Sequence, residues 1–87
     1  MATKASIIAA IEAKVSTYKY WRIGLTHDPI ERKKTWSDES DTTHWKQWEA
    51  DSLSDAQDIE SHFINLGMNG GTGGDLSAKK TVYVYIF

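Results

Sequence analysis

The sequence predicts one small domain of the α/β (α+β) class: three helices packed on a three-stranded mixed or antiparallel sheet. Three observations carry that expectation. Residues 81–87 alternate Val82, Val84 and Ile86 with Tyr83, Tyr85 and Phe87, the period-two pattern of a strand. Residues 18–26 alternate likewise, with Trp21, Ile23 and Leu25 on one face and Tyr18, Tyr20, Arg22 and Thr26 on the other. Other stretches place apolar residues three and four apart, as helices do. Eighty-seven residues leave room for one core, so the domain spans 1–87.

Residues 3–16 begin the chain as an amphipathic helix, with Ile7, Ile8, Ile11 and Val15 opposite Lys4, Glu12 and Lys14. The strand at 18–26 follows. Asp28 then caps a second helix, with Pro29 in its first position and Glu31 completing a capping box, and this helix runs to about Trp36. Residues 37–43 are polar and acidic and read as an exposed loop. A tryptophan-bearing strand is expected over His44–Ala50, with Trp45 and Trp48 on opposite faces. Ser54 caps the third helix, with Gln57 three residues on and a stripe of Ala56, Ile59, Phe63 and Leu66. Gly67 is suited to end that helix in the left-handed conformation. The connections between strands are long enough for either parallel or antiparallel pairing.

Composition narrows the function classes. A hydrophobic content of 40%, with four tryptophans and four tyrosines, suffices for a small core. Having no cysteine excludes disulfides and thiolate-bound zinc. The apolar run at residues 7–11 is too short to span a membrane and lacks a cleavage pattern, so a soluble, cytoplasmic protein is expected. The net charge of −2 argues against a generic nucleic-acid coat. Charge is uneven, however. Lys19, Arg22, Arg32, Lys33 and Lys34 outnumber Asp28 and Glu31 over residues 19–34, while residues 38–60 are strongly acidic.

The segment from Arg22 to Lys34 reads as a strand with a glycine, one turn, and a helix carrying Arg32. A later helix carries Glu60 and runs into the glycine-rich stretch 67–74. An arginine fork suits a phosphate, and a carboxylate suits a hard divalent cation. The two segments together resemble the GIY-YIG endonuclease superfamily. Arg32 stands eight residues after Gly24, the spacing of that family's helical arginine, and Glu60 falls in a pattern similar to its metal-binding helix. The resemblance covers roughly residues 20–74 and implies a nucleic-acid-binding domain, acting on DNA or another nucleic acid. Its activity would be endonucleolytic hydrolysis with Mg2+ or Mn2+ held by Glu60.

The same resemblance assigns the other roles. Arg32 would steady the phosphate, with Arg22, Lys33 and Asn69 contacting substrate and His27 beside the site. The family's second tyrosine falls on Arg22, which never deprotonates. Tyr20 would compensate from the same strand face. The family's first strand is missing ahead of residue 20, and Thr81–Tyr85 looks like that strand moved by circular permutation, so Tyr83 or Tyr85 would supply its hydroxyl. Trp36 stands where the family often has a histidine.

Other readings compete. The tryptophans read first as core or partner-interface residues and second as stacking surfaces for unpaired bases. Gly70-Gly71-Thr72-Gly73-Gly74 invites a phosphate-cradle reading, but it lacks the lysine and the preceding strand of a nucleotide-binding loop. His27, His44 and His62 have no metal spacing on one element. The main alternative function is a non-catalytic protein-interaction or self-associating module, a homodimer included. A small-ligand site at the glycine loop is the third.

Overall fold

Thr3 opens the first helix by accepting a hydrogen bond from the Ser6 N–H at 3.2 Å in the computed structural model, which describes residues 2–70 and 76–87. The helix, α1 (Lys4–Lys14), buries Ile7 and Ile11, and Val15 beyond its end is buried too. The strand expected from residue 18 starts instead at β1 (Arg22–Thr26), because Tyr18–Tyr20 form one turn of 3-10 helix. That turn drops the Tyr18 ring onto Phe63, 5.7 Å between centroids, and leaves Tyr20 76% exposed. A pleat at these positions would need a neighbouring strand to take its carbonyls. The Asn69 side chain takes the Lys19 carbonyl instead at 3.0 Å, and it also donates at 3.3 Å to Trp21 O, which accepts from the Asn69 backbone N–H as well.

Asp28 caps α2 (Pro29–Ser37) as the sequence predicts, accepting from the Glu31 N–H at 3.0 Å. An exposed turn follows, where Asp41 accepts from the backbone N–H and the hydroxyl of Thr43. β2 (Lys46–Glu49) is shorter than the expected His44–Ala50. α3 (Leu53–Asn65) begins one residue after Ser52, so the cap is Ser52 and not Ser54; its hydroxyl accepts from the Asp55 N–H at 3.0 Å. Both serines fit a cap chemically, and Ser52 prevails because a start at Leu53 lets that residue pack against the core.

Ala56, Ile59 and Phe63 are fully buried on α3, as expected. Leu66 is not; it lies past the last turn and is 47% exposed. Gly67, at φ +111°, ends the helix with its N–H on Ile64 O and the Met68 N–H on Phe63 O, a Schellman closure.

The sheet has four strands where three were expected, in the order β2-β4-β1-β3. β4 (Tyr83–Ile86) lies between β1 and β2 and is antiparallel to both. The additional strand, β3 (Asn69–Gly70), pairs in parallel with Arg22 and Ile23. Two residues carry no alternation, so nothing in the sequence marks it. The domain is therefore a small α+β unit with a mixed sheet. The phosphate cradle proposed for residues 70–74 lies largely outside the described residues.

Register sorts the side chains into two layers. Ile23, Leu25, Trp48, Val84 and Ile86 share one face, which α1 and α3 cover to form the main core. Arg22, Gly24, Thr26, Gln47, Glu49, Tyr83, Tyr85 and Phe87 share the other face, which carries α2. Trp45 and Trp48 thus belong to opposite faces, as their spacing predicts. An exposed Lys4–Asp58 ion pair at 3.3 Å joins α1 to α3 and adds little.

Tyr85 pairs with Gly24, and its phenol lies where a Cβ at residue 24 would sit. Gly24→Ala therefore has to displace a clamped ring and is expected to cost about 2 kcal/mol. Thermal denaturation would read this as a Tm lower by roughly 10 °C. A Tm within a degree or two of the parent would show that the ring yields freely.

Candidate functional site

The α2 face of the sheet is built from aromatic rings. The Tyr85 hydroxyl accepts a hydrogen bond from Trp36 Nε1 at 3.0 Å. Trp45 stacks on Tyr85 at 4.5 Å with 7° between planes, and on Phe87 at 5.4 Å. Trp36 meets Phe87 at 5.1 Å, and the Arg22 guanidinium lies over Trp36 at 4.8 Å. Arg22 thus makes a cation–π contact with the Trp36 indole. Face assignments for Tyr85, Phe87 and Trp45 were readable from strand alternation, but which ring meets which depends on register.

Several expected site residues turn out to hold the chain together. His27 donates through Nδ1 to Thr81 O at 2.8 Å and accepts at Nε2 from the Ser77 N–H at 2.9 Å. Those partners select the neutral tautomer with the proton on Nδ1. Both ring nitrogens are occupied by main chain, so His27 ties residues 77–81 to the turn after β1. Asn69 spends its amide N–H groups on carbonyls, as described above. Tyr85 is buried with its hydroxyl engaged. Tyr20 is outside the strand, with Lys19 Nζ 5.1 Å from its ring centre. No sequence signal announced the backbone partners of His27, which lie about fifty residues away along the chain.

Arg32 and Glu60 remain. Arg32 is half-buried and four residues before Trp36, on the same side of α2. Glu60 is half-buried on α3, four residues before Ile64, whose side chain abuts Gly70 of β3. Helical spacing therefore turns Glu60 toward the β3 side of the sheet. Its Oε2 is sealed from solvent with no hydrogen-bond partner among the described residues, and burial pushes the carboxyl above its usual range. The structure does not gather all the expected residues. Tyr83 and Tyr85 are on the α2 face and Glu60 belongs to the helix on the opposite face, with the sheet between them. Tyr83 is half-buried, in register with Thr26 and Glu49.

Two hollows adjoin this layer. A small one of about 260 Å³ is lined by Tyr20, Trp21, Arg22, Asp41, Asn69 and Phe87, among others. Thr43, through its hydroxyl and its N–H, holds Asp41 there below the ordinary carboxylate range. A larger cleft of about 770 Å³ lies between α2 and β2, with Lys33 and Trp45 in its lining. Of the residues expected to bind substrate, Arg22 and Asn69 meet at the first hollow and Lys33 lies at the second.

No family model, curated protein or solved structure matches this chain. No group of three or more His, Cys, Asp or Glu side chains placed to hold a metal occurs among the described residues. Nor, among them, is any helix long and apolar enough to cross a membrane. Glu60 offers one carboxylate, which holds a divalent cation only where phosphate or water can reach it to complete the shell.

The raised Glu60 carboxyl has a sign that can be tested. The fold favours its protonated form, so the associated stability is present below the reference value of 4.5 and is lost as pH rises through the elevated folded value. Glu60→Gln in chelator-treated buffer is expected to raise Tm at neutral pH by roughly 2–5 °C. The gain should shrink on acidification toward the reference value. A gain that is the same at every pH would detach it from Glu60 ionisation.

Proposed function

We propose that the chain is a nucleic-acid-binding domain on a circularly permuted GIY-YIG-like frame, with divalent-metal-dependent phosphodiester cleavage as the second half of the proposal. The observation that carries it is β4. It lies between β1 and β2, antiparallel to both, and lays Tyr85 across Gly24. A strand displaced from the front of the domain needs a pairing of this kind, and β4's pairing supports the reading. The basic run Arg32-Lys33-Lys34 on α2 supplies cations for phosphates.

The chemistry divides between binding and cleavage. Arg32 would fork a phosphate, and Arg22, held on Trp36, would add a second cation along the same face. Cleavage is the less supported half: Glu60 would hold Mg2+ or Mn2+, which supplies Lewis acidity when bound, but it belongs to α3, across the sheet from α2 and Arg32. The engaged hydroxyl of Tyr85 and the engaged nitrogens of His27 weigh toward binding as the primary activity.

One observation favours a second reading, a self-associating module in the cytoplasm. Tyr20, Ile64 and Leu66 are exposed around the end of the sheet where the two-residue β3 forms the edge. Apolar side chains beside a short edge strand are a route to pairing between copies.

The test combines retardation and cleavage of single-stranded, duplex and branched DNA with Mg2+ or Mn2+. Binding that falls with salt is expected, and Arg32→Ala should reduce the slope of log K against log salt by about 1. Glu60→Gln should keep metal-free binding and lose both cleavage and Mn2+-dependent thermal stabilisation. Cleavage retained in Glu60→Gln would remove Glu60 from the metal role. No retardation of any DNA, with concentration-dependent sedimentation, would replace this proposal by the second reading.

A further inference from the structure

The cleft between α2 and β2 has features the proposal above does not use. Its wall includes the Trp45 indole, which is held twice over. Trp45 stacks on Tyr85 and Phe87, and its Nε1 donates to Gln47 Oε1 at 2.9 Å. The ring nevertheless lines the cleft, beside Pro29 and Ile30, and Ile30 is 70% exposed. A fixed indole with its neighbours already stacked behind it loses no rotamer freedom when another planar group adds to the stack.

Charge around the cleft selects the occupant. Lys33 and Lys34 stand on the α2 wall, and neither forms an ion pair among the described residues. Asp38, one residue past the end of α2, is the acidic residue in the lining, so anionic groups are confined to the lysine side. Because Gln47 uses its oxygen on Trp45, its amide N–H groups are left to donate to an acceptor. An apolar peptide would make no use of the lysines or of that amide, which would stay hydrated. A planar base bearing carbonyl oxygens, with anionic groups attached, engages all three together with the indole.

Resting on the nucleic-acid reading, we propose that this cleft is a base-stacking subsite: an unpaired nucleobase stacks on Trp45, its carbonyl edge meets Gln47, and the flanking phosphates meet Lys33 and Lys34. The subsite lies on the β2 side of α2, away from the flank that carries Arg32. Its preference is for single-stranded or locally unpaired nucleic acid, since a paired base cannot leave the stack without cost.

Fluorescence anisotropy with a labelled oligothymidylate and an abasic strand of equal length tests it. The parent is expected to bind oligothymidylate more tightly than the abasic strand. Trp45→Leu should weaken oligothymidylate binding by roughly tenfold and leave abasic binding unchanged. Trp45 also supports Tyr85, so the surface variant Lys33→Glu/Lys34→Glu is the companion. It should weaken both strands while keeping the parent's circular dichroism. Equal affinity of the parent for the two strands would overturn the subsite, as would either variant binding like the parent. A parent that binds neither strand, nor any duplex or branched DNA, would instead defeat the nucleic-acid reading on which the subsite rests.

Discussion

Tyr85 lying across Gly24 is the contact on which the α2 side of this domain depends. A side chain at residue 24 would occupy the space of the ring, and without the ring α2 would lose its main anchor, the Trp36–Tyr85 hydrogen bond. Trp45 and Phe87 stack against the same tyrosine, and Arg22 reaches it through Trp36. A single glycine on β1 therefore sets the height of a whole layer. The opposite face obeys ordinary rules: apolar residues from α1, α3 and the sheet pack together and exclude water.

The two faces differ in what they can offer a ligand. The α1/α3 face is sealed, and among the described residues the Glu60 oxygen is the buried side-chain polar atom left without a partner there. The α2 face holds the cations, the aromatic planes and both hollows beside them. A helix attached to the sheet by rings instead of by aliphatic packing leaves space along its flanks, and the larger cleft is that space. Recognition is accordingly proposed for the α2 layer.

Much of this architecture was legible in the sequence. The alternation of 81–87 correctly separated Val84 and Ile86 from Tyr83 and Tyr85, and Asp28-Pro29 marked the start of α2 without error. Periodicity failed at 18–20, where it extended a strand past the point at which a neighbour existed to pair with it. It failed again at Leu66, since a helical stripe says nothing of where the helix stops. Ser52 and Ser54 are equivalent caps until Leu53 is known to pack. The site was harder still. His27, Asn69 and Tyr85 have the chemistry of functional groups, but their partners are main-chain atoms or rings distant in sequence. Residue type reveals capacity to bond; only register and chain path reveal that the capacity is already used.

The position of β4 has a consequence for how the domain comes into being. β1 and β2 run in the same direction and cannot pair in the observed sheet until an antiparallel strand fills the gap between them. That strand is the last of the described elements to leave the ribosome. During synthesis α1, α3 and β1 can cluster, while the facing edges of β1 and β2 stay open and capable of pairing with a stranger. The middle of the sheet is thus completed by the final residues of the element order, with most of its contacts reaching far back along the chain, a topology that folds slowly. Nascent chains released short of residue 83 would carry two unsatisfied edges in place of one centre.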